Sequence, residues 1–201
     1  MSSTINANNN AKGIELEELF CDYMRKELGY HKARTRAQVV SDFNSRGINV
    51  DVIAEVRNKR YEYMKIVSII LYAVFVAYTL LVLFLAGDST VPSEYVYGFW
   101  VFSVLACIFA TILLVRYQDN IIQHGWAECK NQQESISTEL MQLAIVRFNS
   151  YQNTKNKEYI FTNLYFVCTG SFSEGALKLA QDKNVKCYKL ECGNFVEVTY
   201  W

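Results

Sequence analysis

Two uninterrupted apolar runs, residues 66–86 and 95–115, constrain this chain more than any other feature. Neither carries a charge, and each has the roughly 20 residues that a helix needs to cross a hydrocarbon core. The connection between them, residues 87–94, is short and holds the only proline, Pro92, with Asp88 and Glu94 but no Lys or Arg. Outside the pair lie Arg57, Lys59, Arg60 and Lys65 on one side and Arg116 on the other. Excess Lys and Arg stay on the cytoplasmic side, so both outer ends are expected in the cytoplasm and the tight loop outside. Tyr95, Tyr97 and Trp100 suit an interfacial aromatic belt. A buried helical hairpin in a soluble core is the competing reading, and two consecutive full-length spans argue against it. The expectation is a two-pass hairpin over 64–116 in the cell inner membrane. The lipid bilayer is then a partner, and both termini and the remaining sequence are cytoplasmic.

That remaining sequence is long enough for one domain with a real core. The formal net charge of +0 supplies no overall basic field, which weighs against tight non-specific DNA binding but leaves a local basic groove open. The six cysteines are scattered without CxxC spacing, so reduced thiols are expected rather than a disulfide framework or a zinc site.

Residues 1–12 are polar, include an asparagine run and have no apolar segment, and are expected as a disordered tail. From Gly13, Leu16, Leu19, Phe20, Tyr23 and Leu28 recur at helical spacing, with Gly29 placed to end the helix. Glu15, Glu17 and Glu18 favour the positive end of its dipole, and Glu17 also lies on the margin of the apolar face. Residues 36–42 predict a short strand and 44–47 a turn. Over 48–56 the alternation is clean, with Ile48, Val50, Val52, Ala54 and Val56 on one face and Asp51 on the other, mid-strand, where Asp is disfavoured. Residues 121–130 predict a strand on which Glu128 and Lys130 share a face. A helix over 133–151 follows, then an apolar strand centred on 164–168. Ser171 and Glu174 fit a capping box opening a helix to about Lys183. Strands are expected at 185–190 and 195–200. The domain division read from this is 1–12 tail, 13–63 with 117–201 as one α/β domain, and 64–116 as the hairpin. The fold expected is a mixed sheet flanked by helices.

A hairpin leaves and returns on the same side, so the insertion reduces to a long loop between adjacent strands, and closure cost grows slowly with length. Pairing those strands brings Asp51 near Glu128. Two carboxylates on neighbouring strands, with Glu17 offered by a helix, make a hard-oxygen site suited to Mg²⁺ or Mn²⁺. Such an ion polarises a phosphodiester, and Lys130 beside it orients or deprotonates water. The bland alternatives are a surface ion pair for Glu128 and Lys130 and a hydrogen-bonded Asp51. The histidines, His31 and His124, fall in unrelated settings. Thr169-Gly170, before a helix, offers backbone N–H groups to a phosphate or forms a plain turn.

These pieces resemble, in order, an Mrr-like restriction endonuclease domain of the PD-(D/E)XK nuclease superfamily. The pieces are Gly13-x-x-Leu16-Glu17, Leu28-Gly29-Tyr30, Gly47-x-x-Val50-Asp51-Val52-Ile53, Glu128-Cys129-Lys130 and Thr169-Gly170-x-Phe172-Ser173. The resemblance covers about 13–56 and 124–192. It implies a restriction-endonuclease-like fold and a metal-dependent endonuclease acting on DNA, with RNA left open. It further implies that Asp51 and Glu128 hold the metal, Lys130 serves hydrolysis and Glu17 is an accessory carboxylate. Gln142 would answer to a polar helix residue near the site. Two departures stand out: no proline precedes Asp51, and the hairpin between the motif strands is foreign to soluble members. The expected function is a membrane-anchored endonuclease in restriction or defence. The alternatives are an inactive nucleic-acid- or protein-binding module of the same fold, and a sensor whose hairpin switches the nuclease. A homodimer or a partner protein stays open.

Overall fold

The computed structural model describes residues 2–41, 44–86, 93–118, 121–155 and 157–200. The chain divides into two compact units, residues 1–56 with 123–201 and residues 57–122.

The first unit is a six-stranded mixed sheet between helical layers. Its strands are β1 (Lys32–Ser41), β2 (Asn44–Arg57), β3 (Ile122–Lys130), β4 (Phe161–Cys168), β5 (Val185–Glu191) and β6 (Asn194–Val198). They lie in chain order across the sheet. β1 and β2 form an antiparallel hairpin, β3, β4 and β5 run parallel, and β6 returns antiparallel to β5. β2 and β3 are neighbours although the whole second unit separates them in sequence. Helix α1 (Ser2–Lys26) covers one face with Leu16, Phe20, Cys21 and Met24 buried against Val52, Ala54, Ala127 and Val167. On the other face lie α4 (Thr138–Gln152) and α5 (Glu174–Asp182), over Trp126, Leu164 and Phe166. The parallel strands are buried on both faces, which is why β4 reads as a nearly continuous apolar run.

Several boundaries differ from the sequence reading. α1 begins at Ser2, so the residues expected as a disordered tail are helical; once the amphipathic part is nucleated, each added residue gains a hydrogen bond. The turn expected at 44–47 is strand, since β2 starts at Asn44. α4 starts at Thr138 rather than 133, because the Ser137 hydroxyl accepts from the Leu140 N–H while the Ile136 N–H goes to the Ser171 carbonyl. The cap of α5 is Ser173, whose hydroxyl accepts from the Ala176 N–H, not Ser171. None of the six cysteines forms a disulfide.

The β1–β2 hairpin does not keep one face. Ala33, Val52, Ala54 and Val56 pack under α1, whereas Ala37, Val39, Ile48 and Val50 join the α4/α5 core. The exchange falls at Arg36, whose φ of 53° is left-handed, a region that a residue with a Cβ rarely occupies. Thr35 pairs with Val52 and Ala37 with Val50, so Arg36 stands opposite Asp51 at the crossover.

The second unit comprises α2 (Lys59–Ala86) and α3 (Ser93–Gln118), which pack together. Small residues form part of their contact: Ser68, Ser103 and Ala110 are buried. The hydroxyls of Ser68, Thr79 and Thr111 donate to carbonyls one turn back, and Tyr72 and Thr111 hydrogen-bond across the pair. The Asn58 N–H donates to the Ile121 carbonyl at 2.8 Å, tying the two stems. Large apolar side chains point outward, among them Val74, Leu80, Phe84 and Phe102. Of the two full-length spans expected, only Lys59–Val82, among the described residues, is long and apolar enough to cross a membrane, with a mean hydropathy of 2.2; the apolar stretch of α3, Trp100–Val115, is shorter. Most of the expected connection, residues 87–92, lies outside the described residues.

Candidate active site

At the crossover, two carboxylates and an amine meet on the α4 side of the sheet. The Asp51 carboxylate reaches across to β3, where its Oδ2 accepts the Cys129 backbone N–H at 2.7 Å. That bond explains how an Asp persists mid-strand: the side chain is pinned by its neighbour's backbone. Glu128 lies two residues after Trp126 and two before Lys130, so alternation puts all three on one face. Lys130 Nζ sits 3.6 Å from Asp51 Oδ2 and 3.4 Å from Glu128 Oε2. The sequence-predicted Asp51, Glu128 and Lys130 are therefore brought together, each carboxylate aimed at one cationic nitrogen.

Glu128 is the unusual member, 1% exposed, with the Trp126 indole hydrogen-bonded to it and Phe166 paired with it on β4. Burial raises its pKa above the ordinary carboxylate value, and the negative charge of Asp51 raises it further. Lys130, the Trp126 indole and Arg147 act in the opposite direction. The Trp126 Nε1–H donates to Glu128 Oε1 at 3.2 Å, and Arg147 Nη1 on α4 lies 3.7 Å from Oε2. A buried charge is costly unless it is paired and hydrogen-bonded, and here both compensations are present.

Glu17 occupies the rim. Its Oε2 accepts from Arg36 Nε at 3.0 Å, and its contact is with that guanidinium rather than with Lys130. It is nonetheless within electrostatic range. The Cys129 thiol is pushed well above its ordinary value by burial, then by the charges of Asp51, Glu17 and, more weakly, Glu128. So Glu17 approaches the site from the α1 side, while the other two acids open toward α4. Gln142 is exposed on α4, five residues before Arg147, the α4 residue that reaches Glu128. Thr169-Gly170 forms a bend, and the Thr169 N–H donates to the Lys130 carbonyl. The Thr169 hydroxyl donates to Asn131 Oδ1 and the Gln132 carbonyl. A Cβ at Gly170 would fall 2.6–3.0 Å from the carbonyl oxygens of residues 132–134. Carbonyls crowd that position, which does not suit a phosphate.

Sequence reasoning missed three members of the site. Trp126 was legible in principle, being at i−2 on the strand face of Glu128. Arg147 is a lone cation among apolar positions of α4, and nothing in the helical pattern says how far it reaches. Arg36 depends on a left-handed residue inside a strand, for which the letters carry no signal.

Among the described residues, no group of three or more His, Cys, Asp or Glu side chains could hold a metal ion. Asp51 and Glu128 remain a fitting donor pair for Mg²⁺, which keeps several waters and binds through one or two carboxylates plus phosphate oxygens. Lys130 Nζ marks where the two carboxylates can share positive charge. No family model, curated protein or solved structure matches this chain.

Proposed function

We propose that this chain is a membrane-anchored, metal-dependent endonuclease that hydrolyses phosphodiester bonds of DNA on the cytoplasmic side. A role in restriction or defence would follow from the same family resemblance. The observation that carries the reading is the convergence of Asp51 and Glu128 on the Lys130 amine, from neighbouring strands with the second unit inserted between them. A merely solvated ion pair does not require one carboxylate to be 1% exposed. Carboxylates raised by burial and a neighbouring charge, as Glu128 is, cluster at functional sites.

In this reading Asp51 and Glu128 hold Mg²⁺ or Mn²⁺, which when bound offsets charge on the phosphodiester and favours ionised water. The pair supplies the negative charge that would draw such an ion. Lys130 Nζ, beside both carboxylates, would orient the attacking water and neutralise charge on the phosphate oxygens. Arg147 keeps Glu128 oriented from α4. Glu17 stays paired with Arg36 at the rim as an accessory carboxylate. The apolar outer surface of α2 supports the anchor, and the paired helices are read as a hairpin crossing the inner membrane twice.

Cleavage of supercoiled plasmid by the purified protein in detergent, with and without Mg²⁺ or Mn²⁺, tests this reading. Metal-dependent nicking is expected, with Asp51→Ala, Glu128→Ala and Lys130→Ala each reducing it by at least ~10²-fold. Equal activity in the three variants would remove the assigned site. One observation favours a second reading, a binding module without catalysis: Lys130 engages both carboxylates, and among the described residues no third acid, His or Cys completes a metal-holding group. That reading expects DNA to be bound but not cut, with affinity unchanged by Asp51→Ala.

A further inference from the structure

The same sheet carries a second feature that the candidate active site does not use. An open cavity of about 560 Å³ lies along β1, β2 and β3. Lys32 and Arg34 of β1, Arg25 at the end of α1, and the two histidines, His31 and His124, line it. The histidines, expected in unrelated settings, thus face one space. Among the described residues Glu55 is the only carboxylate on the lining, and it is already engaged by His31 Nε2 at 3.0 Å and Lys32 Nζ at 3.8 Å. Two further acids stand behind the wall: Asp22 pairs with Arg25, and Glu158 takes the Tyr159 hydroxyl. The charges turned into the cavity are therefore mainly positive.

Its position matters as much as its charge. Glu55 is four residues beyond Asp51 on β2, and His124 four residues before Glu128 on β3. Lys32 pairs with Glu55 and Arg34 with Ile53, and Ile53 belongs with Trp126 to the α4/α5 core. The cavity, lined from the α1 side by Arg25 and Ala33, thus reaches the face that bears Asp51 and Glu128, about 13 Å further along the strands at 3.3 Å per residue. That is the span of about four nucleotides at 3.4 Å each. Tyr159 adds a half-exposed ring, with the Arg34 guanidinium 5.7 Å from its centroid and donating to its hydroxyl at 2.6 Å. Cations beside an aromatic platform are the elements with which proteins hold a nucleic-acid strand without reading its sequence.

We propose that this cavity binds the phosphate backbone of a nucleic-acid strand about four nucleotides from the bond held at Asp51 and Glu128. Lys32 and Arg34 contact the phosphates and Tyr159 supports a base. The proposal rests on the nuclease reading and names its substrate as an extended polyanion engaged well beyond the reacting bond. The net charge of +0 is compatible with it, because the positive surface is local.

The test measures binding alone. A short fluorescent single-stranded oligonucleotide is titrated with the full-length protein in detergent and EDTA, across a range of salt. The Lys32→Gln/Arg34→Gln variant is expected to bind about tenfold more weakly. The slope of log affinity against log salt should shrink by about 1.4, from two phosphate contacts at about 0.7 each. Lys178→Gln, an exposed charge on α5, should change neither value. Unaltered affinity and slope in the double variant would overturn the proposal. So would unaltered oligonucleotide binding together with weakened retention on vesicles of anionic phospholipid, which would make the cavity a lipid-headgroup site. Failure of the nuclease reading registers separately, as absence of metal-dependent cleavage in a protein that still binds.

Discussion

The two units break the ordinary rule of burial in opposite directions. The sheet unit hides a carboxylate: Glu128 is 1% exposed, with the Trp126 indole hydrogen-bonded to it. The helical unit displays what a folded chain usually hides, with Phe84 79% exposed and its long apolar helix almost wholly unburied. Both arrangements cost free energy in water, and each is relieved by a different addition. Buried carboxylates are relieved by a cation, and exposed apolar helices by hydrocarbon. The departures from an ideal packed domain, more than the packing itself, are what the proposed metal site and membrane anchor rest on.

The largest effect is expected where that contrast is broken in the helical unit. Val74 and Leu80 are outward-facing, so Val74→Arg with Leu80→Arg would be harmless on a helix facing water. In a bilayer each Arg costs about 3 kcal/mol at mid-span. Membrane fractionation of cells expressing the double variant should show the protein lost from the membrane fraction. Undiminished recovery there would mean that these faces do not meet lipid.

A smaller effect sharpens the other half of the contrast. Trp126→Phe removes the indole N–H that donates to Glu128 Oε1, a bond to a charged group of about 1.5–3 kcal/mol. With that donor gone, the Glu128 pKa should rise further, and the acidic limb of the cleavage-versus-pH profile should move to higher pH. An unmoved limb would show that Glu128 ionisation does not control the rate.

The smallest effect is one of stability. Burial raises the folded-state pKa of Glu128 above its unfolded value, so its stabilising contribution is complete below the unfolded value. It is lost as pH rises through the folded one, and at neutral pH the charged group is a net burden. Glu128→Gln is expected to raise Tm at pH 7 by about 2–4 °C, the shift for ~1 kcal/mol in a chain this size, while abolishing cleavage. A lowered Tm would mean that its partners more than offset its burial.

How much of this was readable from the letters differs between elements for physical reasons. Strand alternation places Glu128 and Lys130 on one face, and a detour that returns to its origin allows β2 and β3 to be neighbours. Both are local or topological facts. Hydrophobic pattern alone, however, does not say that β2 changes sides: Val50 and Val52 are two apart and look equivalent, yet they enter different cores. The change of side falls opposite a left-handed Arg36 on the partner strand. Likewise the starts of α4 and α5 depend on which of several serines captures a free N–H. Ser137 and Ser173 do so, while the Ser171 carbonyl serves the bridge between Ile136 and Phe172. Arg147 and the shared cavity of His31 and His124 depend on tertiary distance, which no spacing in the chain encodes.

The most direct measurement is Mn²⁺ binding followed by electron paramagnetic resonance, on the full-length protein in detergent, comparing wild type with Asp51→Asn and Glu128→Gln. Saturable binding of one ion by the wild type, weakened at least tenfold in each variant, is the expected result. Wild-type protein that leaves Mn²⁺ free, or variants that bind it as well as the wild type, would contradict a metal-dependent site at the junction of β2 and β3.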